Sequence, residues 1–139
     1  MPESSLGALN ALRRLRHAET DAARRDLAAA LARETALAEQ DDALRRELDA
    51  AKQIAGDFDR ETFAAFLARI RAERSRLAEA IREAAARTTS AQTALAHRRA
   101  AETLAESALA SALAARGAAA AQREQLILED TARALKRSE

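Results

Sequence analysis

Gly56-Asp57-Phe58-Asp59 is the stretch that decides the fold. Helix punctuation concentrates there, and the chain reads as helix on both sides of it. Glycine suits the left-handed position just past a helix end, so Gly56 is expected to stop the first helix. Asp57 or Asp59 can cap the second, and Glu61 in its first turn complements the helix dipole. Ser4 or Ser5 can cap the first helix, because a hydroxyl accepts from the orphan amides at its start. A stop and a start within four residues make a helix–helix hairpin loop. The spacing therefore predicts one coiled-coil domain over 1–139, with helices over about 5–55 and 60–136 and a turn over 56–59.

Outward from the turn, apolar residues recur every three or four positions. On the second arm these are Phe63, Leu67, Ile70, Leu77, Ile81, Ala84, Ala91 and Leu95, with Arg74 and Thr88 at intervening seam positions. Ala105, Leu109 and Ala112 continue the seam. On the first arm Leu37, Leu44, Leu48, Ala51, Ala55 and Phe58 keep one register. Leu27 and Leu31 are read in a shifted one, which makes the heptads interrupted. In an antiparallel hairpin, facing residues have numbers with a nearly constant sum, here about 117. Ile54 then faces Phe63, Leu48 faces Ile70, Leu37 faces Ile81, Leu9 faces Leu109, and Leu6 faces Leu113. The fold class is all-α: a long antiparallel two-helix coiled coil, a helical hairpin with a longer second helix. Its arms measure roughly 75 Å and 115 Å, so the C-terminal end lacks a partner within the chain. That end, with Gly117 in it, is expected to fray unless held.

Composition agrees. Among 139 residues there are 41 Ala, 18 Leu and 21 Arg, but no Val, Trp, Tyr or Cys. Ala methyls bury little area, so a compact globule is excluded in favour of long helices. The absence of Cys removes disulfides, thiolate zinc sites and thiol nucleophiles. No run of apolar residues is long enough to cross a membrane, and the N-terminus lacks a signal-peptide pattern. The formal net charge is +1, and acids and bases are interspersed, which argues against nucleic acid as the partner.

Chemistry-bearing groups are sparse. His17 and His97 fall about one turn out of register and read as exposed surface histidines. Asp41–Asp42 and Glu129–Asp130 are neighbours in sequence, so their carboxylates point to different faces. No phosphate-binding loop, nucleophile elbow or metalloprotease motif occurs. The residues therefore predict no enzymatic activity, no cofactor and no metal. Phe58, Phe63 and Phe66 are the sole aromatic residues. A two-helix hairpin cannot bury three phenyl rings fully, so this cluster serves turn packing or a partner.

The order of features resembles the FliJ/YscO family, the stalk proteins of flagellar and injectisome type III secretion. The resemblance spans nearly the whole chain. It begins at Leu9-Asn10-Ala11-Leu12-Arg13-Arg14-Leu15-Arg16 and Asp21-Ala22-Ala23-Arg24-Arg25. It continues through the turn and Phe63-Ala64-Ala65-Phe66-Leu67-Ala68-Arg69-Ile70. Its most specific part is Gln122-Arg123-Glu124-Gln125 followed by Leu128-Glu129-Asp130-Thr131-Ala132-Arg133.

The resemblance implies a non-enzymatic component of the flagellar export apparatus. Such a stalk sits in the pore of the export ATPase hexamer, promotes its assembly and activity, and links it to the cytoplasmic ring of the export gate. Some members also bind export chaperones. The implied location is the cytoplasm, at the cytoplasmic face of the inner membrane. On this reading Leu6, Leu9, Arg13, Leu109, Leu113, Arg123, Glu124 and Arg133 meet the ATPase ring. Leu44, Leu48, Phe58, Phe66 and Ile70 meet the gate. Two other readings suit an Ala-rich coiled coil. One is a structural scaffold that dimerises through its seam. The other is a phasin- or apolipoprotein-like surface binder, against which the even mixture of charges argues.

Overall fold

The computed structural model describes residues 3–138. Two α-helices account for nearly all of them: α1 over Glu3–Gln53 and α2 over Arg60–Ser138, with the single-turn 3-10 helix Ala55–Asp57 between. The fold is an all-α helical hairpin with a longer second helix. Among the described residues no helix is long and apolar enough to cross a membrane.

The turn differs in detail from its expected form. Gly56 lies inside the 3-10 turn, and no glycine has a positive φ. The Asp57 and Phe58 amides donate to the Ile54 and Ala55 carbonyls at 3.0 and 3.3 Å, so i→i+3 bonds reverse the chain without a left-handed residue. Asp59 is the cap of α2. Its Oδ1 accepts from the Thr62 amide at 2.7 Å, and that bond holds the Asp59 carboxyl below its ordinary range. Asp57 stays in the 3-10 turn. Ser4 and Ser5 lie inside α1, so neither caps it. The positions before Glu3 lie outside the described residues. Helix α2 runs unbroken through Gly117 to Ser138.

The chain packs as two units. In the first, α1 up to Asp21 lies antiparallel to α2 from His97 onward. Its seam is Leu6, Leu9, Arg13, Arg16 and Thr20 on α1, and Arg98, Glu102, Ala105, Leu109 and Ala112 on α2. Arg98 is the one exposed member. The second unit is Ala22–Ala96. Its α1 seam is Ala23, Leu27, Ala30, Glu34, Leu37, Asp41, Leu44, Leu48 and Ala51. Facing these on α2 are Phe63, Leu67, Ile70, Arg74, Leu77, Ile81, Ala84, Thr88, Ala91 and Leu95, all buried or half-buried. The spacing alternates between three and four without a break in each helix. Leu27 is in register after all, ten residues before Leu37, and Leu31 stands outside the seam at 46% exposure. The apparent interruption arose from polar residues, Glu34 and Asp41, at seam positions.

Leu37 and Ile70 are almost fully enclosed, and burial of each contributes about 1.5–3 kcal/mol. The buried hydroxyls of Thr20 and Thr88 donate to the carbonyls of Arg16 and Ala84 at 3.0 and 3.1 Å. Each is therefore satisfied within its own helix and costs the seam little. Cross-helix ion pairs report the register. Glu19 meets Arg98 at 2.9 Å and His17 meets Glu102 at 2.7 Å in the first unit. Glu47 meets Arg69 at 2.9 Å and Asp41 meets Arg74 at 3.8 Å in the second. The two numbers of every pair add to within two of 117, as antiparallel pairing demands.

Candidate functional site

Three exposed surfaces stand out among the described residues. The first surface belongs to the unit that contains the far end of α2. Past Ala112 the seam phase falls on Arg116, Ala119, Arg123, Leu126, Asp130, Arg133 and Arg137. Five of these seven are charged, so the hairpin's apolar seam stops there. Apolar residues appear about a third of a turn round the helix, at Leu113, Ala120, Ile127 and Ala134, and on the side away from the seam, at Leu128 and Leu135. Every residue from Leu113 to Ser138 is exposed. Leu126, Ile127, Leu128 and Leu135 are 54–68% accessible, a density of bare aliphatics that a solvated helix does not need.

The second surface lies in the same unit. Leu12, Leu15 and Leu104 are 37%, 53% and 72% exposed. Their heptad phases place them on one flank of the pairing, beside Ala8, Ala101 and Ala108. Arg13 and Arg16 take the seam positions between Leu9 and Thr20, which turns Leu12 and Leu15 outward. Arg13 donates to Asn10 Oδ1 from Nη2 at 3.2 Å, and Arg16 to Glu19 at 3.0 Å. Both guanidiniums are thereby held against their own helix.

The third surface is in the second unit, next to the turn. A groove of about 330 Å³ is lined by Glu47, Ala50, Ala51, Ile54, Phe58, Thr62, Phe63 and Phe66. Ile54 and Phe58 leave the helical path at the turn, so they remain 49% and 45% exposed. Phe63 and Phe66 sit 6.4 Å apart, centroid to centroid. The Arg69 guanidinium covers Phe66 at 5.4 Å from the ring centre. It also donates to Glu47 at 2.9 Å and Glu73 at 3.0 Å. Glu47 first, then Glu73, holds Arg69 more firmly protonated than usual.

The residues singled out in the sequence divide by this geometry. Of those assigned to the ATPase ring, Leu6 is buried in the seam and Leu9, Arg13 and Leu109 are half-buried there. They hold the hairpin together. Leu113, Arg123, Glu124 and Arg133 are exposed, with Arg133 3.9 Å from Asp130. Leu113 does not face Leu6, because Ala112, one residue earlier, is the buried member of the seam. Of those assigned to the gate, Leu44 and Ile70 are buried and Leu48 half-buried, whereas Phe58 and Phe66 line the groove. Sequence reasoning placed Leu12, Leu15 and Leu104 within the paired end and Ile54 opposite Phe63, and did not single them out as exposed. Extending the Leu37–Leu44 phase back to Leu6 would have shown the first two off the seam.

The histidines do not approach a metal-site geometry. His17 Nδ1 contacts Glu102 Oε1 at 2.7 Å, and Nε2 lies 3.4 Å from Asp21. Among the described residues no group of three or more His, Asp or Glu side chains converges as a metal site would require. No protein-family model, curated protein or solved structure matches the chain.

Proposed function

We propose that this protein is a non-enzymatic stalk of a flagellar type III export apparatus. It promotes assembly and activity of the export ATPase hexamer and links that hexamer to the export gate at the cytoplasmic face of the inner membrane. The observation that carries the reading is the far end of α2. Its seam phase is charged, its aliphatics are exposed, and burial inside a ring of subunits would cover them. The likeness of Gln122–Arg133 to the family's terminal signature falls on this same segment. Leu113, Arg123, Glu124 and Arg133 are the side chains free to meet the ring, while Leu6, Leu9 and Leu109 act through the hairpin they hold. At the turn, Phe58 and Phe66 are the gate-facing groups, and Leu44, Leu48 and Ile70 brace them. Some export chaperones are further partners in this reading.

The test is ATP hydrolysis by the cognate export ATPase with and without this chain, together with co-purification. The expected result is stimulated hydrolysis and hexamer formation. Arg123→Glu with Arg133→Glu is expected to weaken co-purification about tenfold, the effect of roughly 1.4 kcal/mol. No binding and no stimulation by a helical sample would remove the stalk reading. A second reading, a self-associating coiled-coil scaffold, is favoured by the bare flank at Leu12, Leu15 and Leu104. Light scattering separates the two, because a stalk is monomeric and a scaffold is an obligate dimer.

A further inference from the structure

In the first unit, the α1 seam after Leu9 holds Arg13, Arg16 and Thr20, and the α2 seam before Leu109 holds Arg98, Glu102 and Ala105. Little apolar area is buried along this stretch, so polar contacts carry a larger share of the pairing. Two of them cross between the helices. Glu19 meets Arg98 at 2.9 Å, and His17 Nδ1 meets Glu102 Oε1 at 2.7 Å. His17 also reaches along its own helix, with Nε2 3.4 Å from Asp21 Oδ2. The imidazole thus stands between two carboxylates, one on each helix. The Glu102 side chain is 13% exposed, so its charge depends on its partners more than on water.

The other charged groups around the ring are cations and acids of both helices. On α1, Arg13 and Arg14 precede His17 by one turn and Arg24 follows it by two, while Arg16 and Glu19 pair with each other at 3.0 Å. On α2, Arg98 is held by Glu19, and heptad phase puts Arg99 and Glu106 on the flank of His17. The guanidiniums oppose a positive ring and the carboxylates favour it, and it is carboxylates that contact both ring nitrogens. Imidazolium has an N–H for each of them. The neutral ring has one N–H and leaves one carboxylate without a donor. Arg98 keeps its charge at any pH the fold survives, so the change near neutrality falls on His17.

From this geometry we propose that His17 is a pH-operated clasp of the first unit. Protonated, it ties α1 to α2 through Glu102 while Asp21 steadies the ring. When the proton passes to water, the tie weakens and the N-terminal part of α1 opens more readily from α2. The sign follows from the two carboxylates, which favour the cation in the folded chain. The clasp contributes fully below the ordinary histidine value of about 6.5 and is lost as pH rises through the higher folded one. Opening uncovers Leu6, Leu9 and Leu109, which the seam covers in the closed state. The inference stands on the His17 contacts and does not depend on the export reading.

The experiment is amide hydrogen exchange on the full chain by NMR, at about pH 6 and about pH 8 and one ionic strength. Rates are expressed as protection factors, which remove the intrinsic pH dependence of exchange. Protection around Leu9 and Leu109 is expected to fall about fivefold from the lower to the higher pH, the size of one well-placed ion pair. Protection at Ile70, in the second unit, is expected to change less than about twofold. His17→Gln is expected to give the low protection at both pH values. His17→Arg, a permanent cation with a forked donor, is expected to give the high protection at both. The side chain is 57% exposed, so both replacements are compatible with the hairpin. Glu102→Gln is expected to lower the midpoint of the His17 ring-proton titration by about half a pH unit or more.

Several results would overturn the inference. Protection around Leu9 that is constant or rises with pH would mean that the imidazolium does not hold the helices together. The same pH response in His17→Gln would assign it to another group. An equal fall at Ile70 would make the effect one on the whole hairpin. A titration midpoint unmoved by Glu102→Gln would remove the cross-helix bond from the device.

Discussion

Helix α2 contains two stretches of similar composition and opposite fate. From Phe63 to Ala112, Leu, Ile and Ala occupy most seam positions and are withdrawn from water. From Leu113 to Ser138 most of the same residue types fall off that phase, Ala119 and Leu126 excepted, and all are exposed. Neither helix propensity nor hydrophobic content distinguishes the two. Phase does: a one-residue offset turns a side chain about 100° round the helix, from the partner towards water. Helical length and pairing length are thus separate quantities in this chain. Part of α2 stabilises the hairpin, and the rest presents a surface.

The sharpest way to break that comparison is to place the same charge in each stretch. Ile70→Asp buries a carboxylate at a site 1% exposed and is expected to cost about 3–5 kcal/mol, comparable to the stability of a small hairpin. Ile127→Asp, at a site 65% exposed, is expected to change stability by less than about 0.5 kcal/mol. Circular dichroism melts of the two variants check the contrast. Equal losses would mean that the far end of α2 is buried in solution.

Gly117 sharpens it further. A Cβ added there meets nothing within 4 Å, and the residue is inside a helix. Gly117→Ala is expected to raise helix stability locally by about 0.5–1 kcal/mol. Hydrogen exchange would show slower opening around residue 117 with unchanged exchange near Ile70. If exchange near Ile70 slowed as well, the two stretches would open together.

The smallest effect concerns pH. The folded state lowers the Asp59 carboxyl below its ordinary value, so the contribution of its cap is present above that ordinary value. It is lost as pH falls through the depressed folded one. Between neutrality and mild acid the cap persists, and it fades in stronger acid. Asp59→Ala is expected to lower the melting temperature at pH 7 and to show a smaller further fall on acidification. An identical acid response in the variant would assign the pH dependence to other carboxylates.

How much was legible beforehand follows from the kind of physics involved. The turn at 56–59, both helices and the antiparallel register near 117 follow from local rules: punctuation, periodicity and the geometry of a chain doubling back. Ion pairs such as Glu19–Arg98 were implicit in that register. The form of the turn was not legible. Gly56 can adopt many conformations, and the i→i+3 bonds from Asp57 and Phe58 selected a 3-10 turn over a left-handed cap. Leu27 was assigned to a shifted phase because Glu34 and Asp41 broke the apolar pattern. A long polar side chain can occupy a two-helix seam with its head at the edge.

The site was less legible than the fold. Leu6, Leu9 and Leu109 carry the same side chain as Leu12, Leu15 and Leu104, and nothing in residue identity separates them. What separates them is seam phase, with Leu6, Leu9 and Leu109 on it and Leu12, Leu15 and Leu104 off it, while how bare each is left depends on both helices at once. The sequence by itself determined that the chain is helical, where it turns, and which residues recur in phase, because these follow from contacts a few residues apart. Only the tertiary structure decided which aliphatics the pairing consumes and which it leaves bare. Burial is a property of two surfaces brought together, and a helix carries only one of them.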